Sequence, residues 1–205
     1  MKRTREEAEK TRQDILDAGL LVFGEKGIET ARVEDIALKA GVTRGAFYHH
    51  FKNKYDLYIE LLELRAQYYT KLIHENLEGK DVSILRIRSY MLSVLKKAAR
   101  DKKFRALNEM IMHKSEKIEK MLNRMERNKS ERLIPTRPFI DTVDGGKEFG
   151  DIYKKTSTGF AVMSIYIFLN GAIVFSMLNK DRFSLEDKAE GLVDTFLLGF
   201  AAERP

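Results

Sequence analysis

The 205-residue chain has no cysteine, which excludes disulfide frameworks, thiolate metal sites and cysteine nucleophiles. That absence suits a reducing compartment, and a cytoplasmic location is expected. Proline is scarce: three residues, all at or beyond Pro135, leave the first two thirds free of helix breakers. The stretch Met1 to Lys10 is charged rather than apolar and does not read as a secretory signal. There is no Gly-rich phosphate loop after a strand and no nucleophile motif, so neither an enzyme nor a bound cofactor is expected. With 43% hydrophobic and 33% charged residues, the average fits neither a disordered nor a membrane-embedded chain. The length suffices for one or two small domains with a real core.

The net charge of +6 is unevenly spread. Residues 86–132 carry 15 basic and 6 acidic groups, whereas residues 55–85 and 133–205 are net acidic. The central basic block reads as solvated helix faces, with Glu116 and Lys120 at i,i+4 spacing, rather than as a surface for an anionic partner.

Helical periodicity runs almost throughout, and the expected class is all-α. Ile15, Ala18, Gly19, Val22 and Phe23 share one face of a first helix over about 6–25, ended by Lys26-Gly27. A second helix is expected over 32–39, with a break at Gly41. Thr43 caps a third over 44–50, and Asn53 with Asp56 opens a fourth to about 78. Ile84, Ile87, Met91, Val94, Leu95 and Ala98 mark a fifth helix. Phe104, Leu107, Ile111, Ile118, Met121, Leu122 and Met125 mark one long or two short helices after it. Residues 133–150, with Pro135, Pro138, Gly145, Gly146 and Gly150, read as an irregular connection. A long apolar helix is expected over 151–180, then a last helix capped by Ser184 and Asp187. The run from Phe160 to Leu178 approaches membrane-spanning length, but Ser164, Asn170, Gly171 and Ser176 interrupt it. It reads instead as a helix burying one face in its own core and another against a second subunit, with no membrane partner.

The segment Thr30 to Leu57 has the physics of a helix-turn-helix. Ile36 and Ala37 form an inner face, Gly41 permits the turn and Val42 plugs the corner. The helix from Thr43 to His50 is too short to stand alone and needs Phe47 and Phe51, spaced i,i+4, as anchors. Thr43, Arg44, Gly45, Tyr48 and His49 are then left outward. Arg44 suits a guanine fork or a phosphate, and Thr43 a phosphate. Gly45 allows close approach, while Tyr48 and His49 offer donors. Lys54 reads as a backbone clamp, Arg32 as a reach to the facing strand, and Lys2, Arg3 and Arg5 as a non-specific arm.

Taken together, Ile36-Ala37, Ala40-Gly41-Val42, Gly45, Phe47-Tyr48, His50-Phe51, Lys54 and Leu57 resemble the TetR/AcrR family of bacterial transcriptional regulators. Arg32 departs from the small hydroxyl residue that family more often has there. The segment from Met110 to Glu116 is similar to a stretch of the AcrR-like efflux regulators. The resemblance implies a DNA-binding domain over 1–53 and a ligand-binding and dimerisation domain over 54–205. It implies a homodimer through the last two helices on a near-palindromic double-stranded operator, with the fourth helix linking reading head to inducer cavity. The implied function is a repressor released by a small lipophilic inducer, with multidrug efflux as the controlled process. The alternatives are a metabolite- or fatty-acyl-sensing regulator of the same fold, or a global DNA-binding protein.

Candidate ligand contacts are Gln67, Met110, His113, Phe160, Met163, Tyr166 and Asn170, each weighed against ordinary core packing. Glu109, His113 and Glu116 share a helical face at i, i+4 and i+7, the spacing a metal or acid–base enzyme would use. With only four histidines, two of them in the reading motif, a hydrogen-bonded histidine is the expected reading and no metal site is expected.

Overall fold

The computed structural model describes residues 5–79, 83–113, 120 and 136–201. The fold is all-α. Its helices are α1 (Arg5–Thr30), α2 (Val33–Lys39), α3 (Arg44–His50), α4 (Lys54–Leu77), α5 (Ser83–Arg100) and α6 (Lys102–Met110), the last followed by a 3₁₀ turn, Ile111–His113. Then come α7 (Arg137–Phe149), α8 (Thr158–Leu178) and α9 (Leu185–Leu198). Helical residues expected at Ile118, Met121, Leu122 and Met125 lie outside the described residues, as does Glu116. Two compact units divide the chain, residues 1–65 with 106–133, and residues 66–105 with 134–205.

In the first unit α1 breaks at Gly27, whose φ of 71° and ψ of 159° no helix accommodates, at the place the sequence marks. Its inner face buries Ile15, Leu16, Val22 and Phe23, and Tyr58 of α4 meets Phe23 edge-to-face at 5.5 Å. Close approach of α1 and α4 depends on Gly19, where a Cβ would lie 2.5 Å from Leu57 Cδ2. Asn53 opens α4, its Oδ1 accepting from the N–H groups of Tyr55 and Asp56 at 2.9 and 3.0 Å. The Asp56 carboxylate reaches back to the Lys52 N–H at 3.2 Å.

The second unit is a helical bundle around Tyr90, Phe104, Phe139, Ile165, Ile173 and Val193, all buried. Each such side chain contributes roughly 1.5–3 kcal/mol of burial. Phe139 is its aromatic hub, with Tyr90 at 4.7 Å and Tyr166 at 5.4 Å. The irregular connection expected over 133–150 is instead largely the helix α7. Pro138 sits in its first turn, where a missing N–H costs no hydrogen bond. Gly150, at φ 93°, supplies the left-handed exit. Gly146 is a packing residue, since a Cβ there would meet Asp151 Oδ1 and Ile152 Cδ1 at 2.6 Å. Proline and glycine therefore mark the helix's start, contact and end rather than its absence.

A further difference concerns α8. It starts at Thr158 rather than near residue 151, because Ser157 caps it by accepting from the Phe160 N–H at 3.2 Å. The preceding residues are occupied otherwise: Asp151 accepts the Ile84 N–H at the start of α5, and Tyr153 donates its N–H to Phe200. Although α8 is long and apolar enough to cross a bilayer, Ala161, Val162, Ile165, Leu169, Ile173 and Met177 are buried in this unit's core.

Part of the basic block is neutralised within the same unit. Arg88 forks onto Asp194 at 2.5 and 3.0 Å, Lys96 meets Glu190 at 2.7 Å, and Arg100 meets Glu186 at 2.7 Å. These pairs join α5 to α9 along one antiparallel seam. Arg88 and Lys96 hold the carboxyls of Asp194 and Glu190 below their ordinary pKa values.

Candidate nucleic-acid interface

The first unit presents α2, a tight turn and α3. Glu34 and Asp35 sit at the positive end of α2, and Asp35 closes that end by accepting the Arg32 N–H at 3.1 Å. A Lys26 ammonium 3.0 Å away, followed by that N–H, holds the Asp35 carboxyl below its ordinary value. The turn is a Schellman closure around Gly41 (φ 67°): Gly41 N–H donates to Leu38 O at 3.1 Å, and Val42 N–H to Ala37 O at 3.0 Å. Thr43 then caps α3, its Oγ1 accepting from the Ala46 N–H at 3.1 Å.

Seven residues cannot hold a helix by themselves, and α3 is pinned by Phe47 and Phe51. Both are buried, with ring centroids 5.8 Å apart. The Arg12 guanidinium of α1 lies 5.2 Å over the Phe51 ring and also pairs with Glu60 of α4. This anchoring leaves Thr43, Arg44, Gly45, Tyr48 and His49 exposed together on one side. Gly45 has open space beside it, the nearest side-chain atom being Thr43 Oγ1 at 3.8 Å. Arg44 is not a loose side chain: one terminal nitrogen lies 3.0 Å from Glu34 Oε1, and the other reaches the Tyr48 hydroxyl at 3.5 Å. Tyr48, then Glu34, raise the guanidinium's pKa. The His49 ring stands edge-to-face to His50 at 5.3 Å.

Two sequence-selected residues are employed differently. The Lys54 ammonium donates to Glu29 O at 2.8 Å and Ala31 O at 2.9 Å, tying the end of α1 to the start of α4. At most one of its three donors is left for a backbone clamp. Arg32 is the N-cap of α2; its side chain is exposed and its backbone N–H is taken by Asp35. The Lys2 and Arg3 arm lies outside the described residues.

Of the seven expected ligand contacts, Met110 and His113 belong to the first unit, and Gln67, Phe160, Met163, Tyr166 and Asn170 to the second. Phe160 and Met163 are 59% and 49% exposed on the outer face of α8, beside Ile167 at 64%. Helical geometry explains this: Ala161 and Ile165, one and two positions away, take the inward direction. Gln67 and Asn170 are exposed, the Asn170 amide donating to Tyr166 O at 2.8 Å. Tyr166 is half-buried on Phe139, and Met110 is buried in the first unit. His113 closes the 3₁₀ turn, and its side chain lies outside the described residues. Periodicity alone could not separate the inward from the outward face of α8, because both are apolar. The residue that sequence reasoning assigned no part at the site is Glu34, whose signal was an acid on the outward first turn of α2 facing an arginine on the first turn of α3.

Among the described residues, no cluster of three or more His, Asp or Glu side chains assembles to hold a metal. What is assembled is a short exposed helix on a rigid base, offering a guanidinium, a phenol hydroxyl, an imidazole and a capped N-terminus. Those groups match the donor and acceptor edges of a DNA major groove.

Comparison with known proteins agrees. Residues 15–61 match the family model for bacterial regulatory proteins of the tetR family, and residues 82–201 that for the C-terminal region of MAATS-type transcriptional repressors. The transcriptional regulator TtgR of Pseudomonas putida is 29% identical over 198 residues, covering 96% of this chain and 94% of TtgR. The regulator AcrR of Shigella flexneri is 38% identical over 123 residues, 58% of this chain and 56% of AcrR. The fold is similar to NalD of Pseudomonas aeruginosa, described as the secondary repressor of the MexAB-OprM multidrug efflux pump, at TM-score 0.75 and 23% identity over 98% of this chain and all of NalD. The chain belongs to the TetR family of transcriptional regulators.

Proposed function

We propose that this regulator is a homodimeric, ligand-released repressor that binds a near-palindromic operator through α3. The contacts proposed are Arg44 and Tyr48 to base edges, Thr43, His49 and the third Lys54 donor to phosphate, Gly45 for close approach and Arg32 to the facing strand. The observation that carries the reading is the side of α3 left exposed by the buried Phe47 and Phe51 anchors.

The functional division proposed is 1–53 for DNA and 54–205 for ligand and dimerisation, acting in the cytoplasm. The exposed apolar residues Phe160, Met163, Ile167, Phe175, Leu178 and Leu198 on α8 and α9 are assigned to the subunit interface. Phe160 and Met163 therefore leave the ligand set, which keeps Gln67, Met110, His113, Tyr166 and Asn170. The proposed inducer is a lipophilic drug, and the regulated process multidrug efflux, on the strength of the description of the fold neighbour NalD as the repressor of a multidrug efflux pump. A ligand acts only through its differential affinity for the DNA-releasing state.

The test is a duplex enriched from a randomised library by the unaltered protein, followed by fluorescence anisotropy in the presence of lipophilic cations or long-chain acyl compounds. Enrichment of a palindrome and its release by the cations support the reading. Release by acyl compounds alone moves the function to metabolite sensing, and failure to enrich any palindrome removes the operator assignment.

A further inference from the structure

We propose that Glu34 is a specificity-determining residue of the reading head: it fixes the Arg44 guanidinium in one orientation before DNA arrives and disfavours sequences that give that guanidinium no guanine. The inference rests on α3 being the element that reads DNA.

Glu34 and Arg44 are ten residues apart, and the turn at Gly41 brings their first helical turns together so that Oε1 lies 3.0 Å from an Arg44 terminal nitrogen. The other terminal nitrogen meets the Tyr48 hydroxyl at 3.5 Å, with the Tyr48 ring centroid 5.5 Å from the guanidinium carbon. All three side chains are exposed. An exposed ion pair contributes little to folding, so stability does not account for placing a carboxylate beside the one arginine on the outward face of α3. The neighbouring acid is committed elsewhere: Asp35 holds Lys26 at 3.0 Å and the Arg32 N–H at 3.1 Å, leaving Glu34 as the carboxylate that faces Arg44.

The consequence follows from donor geometry. A guanidinium has five N–H donors in a plane, and a guanine accepts two of them at O6 and N7. Held from the protein side by Glu34 and Tyr48, the fork loses less freedom when it meets guanine. Where no guanine is offered, Arg44 gains no base contact to offset the approach of the Glu34 carboxylate to a polyanion. That penalty falls on wrong sequences and so separates them from the right one.

The experiment compares affinity for the enriched duplex and for a scrambled duplex of equal length, at one ionic strength. Five proteins are measured: unaltered, Glu34→Ala, Glu34→Gln, Arg44→Ala and the Glu34→Ala/Arg44→Ala double variant. Thermal melts verify that each is folded. Glu34→Ala is expected to bind scrambled DNA more tightly and to lower the enriched-to-scrambled ratio about tenfold, the scale of one bidentate base contact. Glu34→Gln keeps an acceptor that orients Arg44 but removes the charge that penalises wrong sequences, so affinity for scrambled DNA rises and the ratio falls part of the way toward that of Glu34→Ala. In the Arg44→Ala background the Glu34→Ala effect on the ratio disappears.

An equal rise for both duplexes in Glu34→Ala overturns the inference, leaving Glu34 as a repulsive charge only. A loss of ratio that persists without Arg44 also overturns it, because Glu34 would then read DNA itself. If Arg44→Ala alone leaves affinity for the enriched duplex unchanged, it is the reading of α3 that fails.

Discussion

Single side chains in the reading head carry more than one duty, and pH separates them. Asp35 caps α2 and holds Lys26, and its carboxyl is lowered from 3.8. A lowered folded value stabilises the fold above the ordinary carboxylate range, and that contribution is lost as pH falls through the lowered value. Asp35→Asn should therefore reduce the melting temperature at neutral pH, with the gap closing in acid; a gap independent of pH contradicts the assignment. Tyr58 shows the opposite case. Its hydroxyl is buried with no hydrogen-bond partner among the described residues, and burial pushes its pKa from 10.0 up to about 12. Below 10 the neutral phenol is common to both states; between 10 and 12 the unfolded chain ionises and the fold loses stability. Removing an unsatisfied hydroxyl, Tyr58→Phe should raise stability by about 1 kcal/mol in urea melts and flatten this alkaline loss. A destabilised variant would show that the hydroxyl has a partner.

Among the elements, the helix-turn-helix was legible to within a residue or two because its signals are local. Gly41, Thr43 and Asn53 act on backbone groups within a few residues, and the i,i+4 pair Phe47 and Phe51 needs no distant partner to declare an inner face. α7 was not legible, because Pro138, Gly145 and Gly146 signal a loop until the contact of Gly146 with Asp151 and Ile152 is known. The orientation of α8 was hidden for a different reason: Phe160 and Ile165 are equally apolar, and only packing decides which turns inward. The α5–α9 ion pairs were likewise invisible, since their partners are more than eighty residues apart. Gly146→Ala tests the α7 account. Ile152 and Asp151 would have to move, costing about 1–3 kcal/mol by denaturant titration, whereas an unchanged midpoint would show the contact to be slack.

Across the whole molecule, the surface of α8 links fold to function. Ile167 is exposed at the centre of the apolar face assigned to the second subunit. Ile167→Asp should give a folded monomer by sedimentation, with operator affinity lost because two heads no longer share one site. A dimer of unchanged affinity would place the interface elsewhere. The most direct test of the central claim is hydroxyl-radical footprinting of the unaltered protein and Arg44→Ala on the enriched duplex at one salt concentration. The account predicts two protected patches about 10–10.5 base pairs apart on one face, absent for an Arg44→Ala protein that remains folded and dimeric. An identical footprint at identical affinity from Arg44→Ala would contradict it.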